Sequence, residues 1–228
     1  MSTLDVLITL LAQLGLSMAL AGLLLRGRAR ALRSFTVYLF VVLIAEFGVL
    51  LLPDVFWSWN WWVARQVVYS SLKLAIGAEL AASLFAAFPG ARRTANAATF
   101  GLLLLTLVFL AVPTSGLSPT LISGQLLPRL GNGALGVFVG LAAVARWYVV
   151  PLNPLHKAIL TGFVAYGVLI VTVGAMLDLA DEPTRLAFNL IAGGGYCTLT
   201  GWWAVSAWTV RDHDPARTPL LAALEARC

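Results

Sequence analysis

Chemically versatile side chains are scarce in this chain. Its 228 residues include only two histidines, two cysteines and two lysines, and 11% of them are charged. A soluble domain is about one quarter charged. Cys197 and Cys228 are too few for a disulfide framework or a thiolate metal site. His156 and His213 both fall in polar connecting segments. No His, Asp or Glu cluster lies within an apolar segment to hold zinc. No span has the two-histidine pattern of a membrane haem protein. There is no G-x-S-x-G turn, and no Ser–His–Asp set is placed together. On these grounds no metal, no cofactor and no enzymatic activity are expected. The last apolar span also lacks lysine, which excludes a retinal-type Schiff base there. Lys73, in the third span, is the one amine in apolar surroundings that has the chemistry to form one.

What the chain has instead is apolar length. Hydrophobic residues make up 60% of it, with a mean hydropathy of +0.90. A membrane-spanning helix needs roughly 20 such residues. Seven segments qualify: 4–25, 34–53, 62–88, 96–113, 129–150, 157–177 and 185–210. The sequence therefore predicts an all-α, polytopic membrane protein. A seven-helix bundle over residues 1–210 is followed by a short tail, 211–228. The first segment does not read as a secretory signal: it has no basic start, carries Asp5 and is followed by arginines.

Orientation follows from the basic residues. "RGRARALR" (26–33), "PGARR" (89–93), "RWYVVPLNPLHK" (146–157), the start of the tail and Arg227 hold eleven of the fifteen lysines and arginines. They alternate with segments carrying Asp54, Asp178, Asp181 and Glu182 beside Arg65, Arg129 and Arg185. The positive-inside rule then puts the N-terminus outside and the tail in the cytoplasm. Net charge of +5 is accounted for by topology and anionic lipid, so no nucleic-acid partner is expected.

Tryptophans 57, 59, 61 and 62 read as an interfacial belt on the outer side, and Trp147, Tyr148, Trp202, Trp203 and Trp208 as its inner counterpart. An aromatic cage for a cation is the other reading. Segment 114–128, rich in Pro, Gly and Ser, is the longest external loop. Leu220, Leu221 and Leu224 give the tail one weak apolar face. A shift of 124 residues lays Arg33 on Lys157 and Asp54 on Asp178, each pair bracketing a span. This makes a 3+1+3 parallel repeat a candidate architecture.

Ionisable groups inside spans usually face protein or water and have a partner. Four stand out: Glu46, Arg65, Lys73 and Glu79. At about 1.5 Å of rise per residue, Glu46 lies about 10 Å and Lys73 about 16 Å below the outer ends of their helices. That difference suits a Glu46–Lys73 pair. Arg65, Tyr69 and Lys73 recur at i, i+4 and i+8, so one face is polar from the outer surface to mid-depth. Glu46, Arg65, Tyr69 and Lys73 are thus the first ligand-pocket candidates; an ion pair fixing helix packing is the alternative. Glu79 points about 120° away and lies near the inner interface, placed to accept hydrogen bonds from a neighbouring helix or to pair with Arg146.

The seventh span contains "NLIAGGGYCTLTGWW" (189–203). Consecutive glycines there suit either an unwound, ion-binding backbone or a close helix contact. Glu79, Tyr166, Asn189, Gly193, Gly194 and Tyr196 form a second candidate group. Thr172, Thr198 and Thr200 lie near it in sequence, and Gln13 and Ser17 share a face of the first span.

"SFTVYLFVVLIAEF" (34–47) and "ELAASLFAAFPGARR" (79–93) resemble a group of uncharacterised bacterial seven-helix integral membrane proteins, over about the first 115 residues. Lys73 departs from that group's pattern. The resemblance implies a seven-helix bundle in a bacterial inner membrane and transfers no site residues. Two function classes stand. One is a non-enzymatic sensor or accessory subunit that binds a small or lipidic ligand and works through a protein partner or a homo-oligomer. The other is a small-molecule or ion transporter built from two three-helix repeats.

Overall fold

The computed structural model describes residues 3–56, 58–85, 127–150, 152–177 and 181–210. The fourth segment (96–113), the loop 114–126, "PGARR" and the tail lie outside the described residues. Among the described residues the fold is all-helical. Six long helices, α1 (Thr3–Leu25), α2 (Arg33–Leu51), α4 (Trp59–Phe85), α5 (Leu127–Trp147), α6 (Pro154–Leu177) and α7 (Glu182–Thr209), are joined by a short α3 (Pro53–Phe56) and a 3₁₀ turn at Arg28–Arg30. The stretch between the second and third predicted spans is largely helical: Pro53 opens α3, where its missing N–H costs nothing, and α4 already begins at Trp59.

Four helices, at 6–25, 33–51, 59–85 and 154–176, are long and apolar enough to cross a bilayer. Three of them, α1, α2 and α6, carry apolar residues on all sides. In α2, Phe35, Leu39 and Val42 are buried, while Val37, Phe40, Ile44 and Leu51 on the opposite side are exposed. A helix of that kind needs a hydrocarbon surround.

The long helices form a closed ring in chain order, with α7 returning to α1. α1 and α7 run parallel. Ile8 faces Gly193, Gly15 faces Thr200 and Gly22 faces Ala207, a constant seven-residue step on both helices. That step keeps one seam in register at about 3.5 residues per turn. A Cβ on Gly15 would lie 2.6 Å from Thr200 Oγ1, so this approach requires glycine. Cys197 Sγ–H donates to the Ile8 carbonyl (3.2 Å) and Trp208 Nε1–H to that of Met18 (3.0 Å) along the same seam.

α6 runs antiparallel to α7: Trp202 donates to the Ala158 carbonyl, and Gly195 meets Leu169. α5 is antiparallel to α6, with Leu135 against Gly167 and Phe138 stacked on Phe163. α2 is antiparallel to α4, with Glu46 near Arg65 and Ser34 near Glu79. The C-terminal end of α4 lies beside the start of α6, where Ser83 Oγ and His156 Nδ1 share a 3.2 Å hydrogen bond. α4 and α5 therefore run parallel, side by side.

One end of the ring gathers Arg26, Arg28, Arg30, Arg33, Arg146, His156 and Lys157. This basic end is tied together by two charged side chains. Arg28 is buried and donates to the carbonyls of Ala207 (3.0 Å) and Val210, closing the C-terminus of α7. A cation suits the negative pole of a helix. Glu79 accepts the backbone N–H groups of Arg33 (2.9 Å) and Ser34 (2.8 Å). Leu32, at the N-cap of α2, has no side-chain oxygen to do this. Arg28, counted as a topological charge in the sequence, is also an interhelical clamp.

Candidate functional site

Along the ring's axis the two ends differ. Toward the basic end, Phe35, Tyr38, Phe138, Phe163 and Trp203 pack together, with neighbouring ring centroids 4.7–6.4 Å apart. Trp203 is 1% exposed, which corrects its sequence-based place in an interfacial belt. The reason is local: Gly162 leaves room for the indole, and a Cβ there would sit 2.7 Å from its Nε1. Trp202, one residue earlier, points outward and is half exposed.

Toward the other end the axis is hollow. A cavity of about 480 Å³ lies between α1, α2, α4, α6 and α7. Its polar lining comprises Thr9, Gln13, Tyr38, Glu46, Gln66, Tyr69, Lys73, Tyr166 and Tyr196. Four of the chain's five tyrosines are here. Tyr38 joins the two regions, since its ring belongs to the aromatic cluster and also lines the cavity.

The two candidate groups from the sequence thus meet in one place. Glu46, Tyr69 and Lys73 of the first group line the same cavity as Tyr166, Gly193 and Tyr196 of the second. Arg65 sits beside it, bound to Glu46. Glu79 is not part of it: the carboxylate caps α2 at the basic end and makes no pair with Arg146. Asn189 and Gly194 are exposed and do not line the cavity. Thr172 and Thr198 bond carbonyls of their own helices, and Thr200 is sealed under Gly15.

Glu46 corrects the predicted pairing. Its Oε1 accepts from Arg65 Nη1 at 3.2 Å and from Tyr69 Oη at 3.4 Å. The Arg65 guanidinium also lies over the Tyr69 ring, 5.9 Å from its centroid. Arg65 and Lys73 stand one turn above and one turn below Tyr69, about 6 Å each way along the axis. Depth alone therefore left both cations within reach, and the longer, forked guanidinium suits a carboxylate better. Among the described residues Lys73 has no ion pair or hydrogen bond, although it lines the cavity. Gln13 is only 4% exposed, and neither its Nε2 nor its Oε1 has a partner among the described residues. A buried amide left in that state costs about 1–3 kcal/mol. The signal for Gln13 was legible as an amide within an apolar span, but nothing in the sequence linked it to Lys73.

The three glycines of α7 do not unwind it; the helix is continuous from Glu182 to Thr209. Gly193 admits Ile8 of α1 and Gly195 admits Leu169 of α6. They serve close packing, and the unwound-backbone reading falls.

Ser83 and His156 form a hydroxyl–imidazole pair that the sequence did not suggest. The nearby carboxylate, Glu79, is occupied by backbone N–H groups and does not orient the imidazole. Among the described residues no group of three or more His, Cys, Asp or Glu side chains comes together as a metal site. The chain matches no protein family, no curated protein and no solved structure.

Proposed function

We propose that the protein is a non-enzymatic, ligand-binding membrane protein, a sensor or accessory subunit of the bacterial inner membrane. The observation that carries this reading is the cavity in which, among the described residues, neither Lys73 nor the buried Gln13 amide has a partner. A ligand site typically combines a pocket of about 300–1,000 Å³ with a few convergent polar groups, and polar groups at this depth need partners. The filled aromatic region beneath the cavity favours a one-sided site over a passage.

Seven spans are supported by the parallel course of α4 and α5. Parallel neighbours need a connection from one end of the bundle to the other, and the apolar segment 96–113 has the length to provide it. The gathering of basic residues at one end supports an outside N-terminus. A second reading, transport by two three-helix repeats, has one observation in its favour. The contacts of α1 with α7 and of α4 with α5 are both parallel and occupy equivalent places in a 3+1+3 arrangement. It would require the aromatic region to part.

The test is a thermal-shift ligand screen on purified protein, repeated with Lys73→Met and Gln13→Leu. A stabilising compound whose shift is lost in both variants is the expected result. Equal shifts in wild type and both variants would refute the cavity as the site. Uptake of that compound into proteoliposomes would favour the transport reading.

A further inference from the structure

A second hollow lies between α6 and α7 on the outside of the ring. It measures about 360 Å³ and is lined mainly by apolar groups, with Thr161, Ala165, Thr198 and Trp202 exposed along it. Tyr166 lines both this groove and the central cavity. Its ring lies 5.5 Å from that of Tyr196, which lines the cavity side. Close by, Leu169 packs into the space that Gly195 leaves, and both residues line the groove. A polar chamber and an apolar groove thus share one wall.

The charges define the head that the chamber would take. Glu46 is neutralised by Arg65, so among the described residues the chamber's net positive charge is that of Lys73. One ammonium, one free amide N–H₂ and tyrosine hydroxyls match a monoanion that accepts several hydrogen bonds. A phosphomonoester would bring about −1.5 to −2, more than one lysine balances.

Resting on the ligand-binding reading above, we infer that the ligand is a single-chain amphiphile with a carboxylate head. The carboxylate sits between Lys73 and Gln13. The chain passes Tyr166 and lies in the α6–α7 groove, on the side of the bundle that meets lipid.

The test uses the full-length protein in nanodiscs, with empty nanodiscs as the reference for partitioning. Binding of hexadecanoate, hexadecanol, butyrate and hexadecyl phosphate is compared by competition against labelled hexadecanoate. Hexadecanoate is expected to bind at least tenfold more tightly than each of the others. Lys73→Met should abolish the preference for acid over alcohol. Ala165→Trp, which fills the groove from the exposed surface, should weaken hexadecanoate at least tenfold and leave butyrate unchanged. Because it lies outside the packed interior, this variant serves even if Lys73→Met does not fold. Equal binding of acid and alcohol, tighter binding of the phosphate, or no effect of Ala165→Trp would each overturn the inference. If hexadecanoate fails to bind while a screened compound acts through Lys73, the inference falls and the ligand-binding reading stands.

Discussion

Toward the basic end, five aromatic rings and the aliphatic residues around them fill the axis of the bundle; toward the other end the same axis holds a polar cavity. Lipid tails are as apolar as leucine, so helices in a bilayer gain little from hiding apolar surface from one another. They gain from close packing and from satisfied polar groups. The aromatic region stabilises the bundle through its packing, although among the described residues Trp203 Nε1 has no partner. The cavity forgoes that packing, and among the described residues it leaves both polar atoms of the Gln13 amide unsatisfied. An unfilled, unsatisfied region held within a well-packed frame is what a binding site requires before its ligand arrives.

The largest effect should come from the filled region. Trp203→Ala removes the residue that touches Phe35, Tyr38 and Phe163. Trp→Ala changes in packed interiors cost about 3–5 kcal/mol. Reversible denaturation in mixed micelles should show a loss of that size. A loss below about 1 kcal/mol would mean that the aromatic region is no better packed than the cavity. Next is Arg65→Met, which among the described residues leaves the Glu46 carboxylate with Tyr69 as its one partner. A hydrogen bond to a charged group contributes about 1.5–3 kcal/mol, and the loss should fall in that range. The double variant Arg65→Met/Glu46→Gln should recover most of it. If it does not, the pair is not what holds α2 to α4 at this end.

How much of this was legible in the sequence differs between the two regions. The apolar runs gave the helices, and the i, i+4, i+8 step gave the Arg65–Tyr69–Lys73 face. The polar residues of apolar helices gave both halves of the cavity, but as separate groups. What could not be read was the rotation of each helix about its own axis. A helix that is apolar all round has no amphipathic stripe to reveal its inner face. For that reason Trp203 was assigned outward with Trp202, Glu46 was paired with the wrong cation, and Gln13 stayed unconnected to Lys73. Arg28 was hidden differently, since an arginine that clamps α7 and one that only marks the cytoplasmic side look alike in a loop. The seven-residue step from Gly15 to Gly22 was present in the sequence, but it becomes meaningful only against Thr200 and Ala207.

A smaller effect is expected at the basic end. Glu79→Ala removes both acceptors for the first N–H groups of α2. Helix caps contribute about 0.5–2 kcal/mol. Hydrogen exchange at Arg33 and Ser34 should rise, while affinity for any cavity ligand stays unchanged. A loss of ligand binding without a loss of stability would return Glu79 to the site.

The smallest expected change in stability is the one that separates the two regions most sharply. Lys73 has no partner among the described residues, so Lys73→Met breaks no observed bond and replaces an ammonium with a side chain of similar length. Relief of an unpaired charge acts in the stabilising direction. Ligand-free Lys73→Met should therefore be as stable as wild type or slightly more so. In the presence of a cavity ligand the order should reverse, because mass action stabilises only the protein that binds. A variant markedly less stable without ligand would mean that Lys73 supports the fold, and the division between a structural and a binding region would then have to be redrawn.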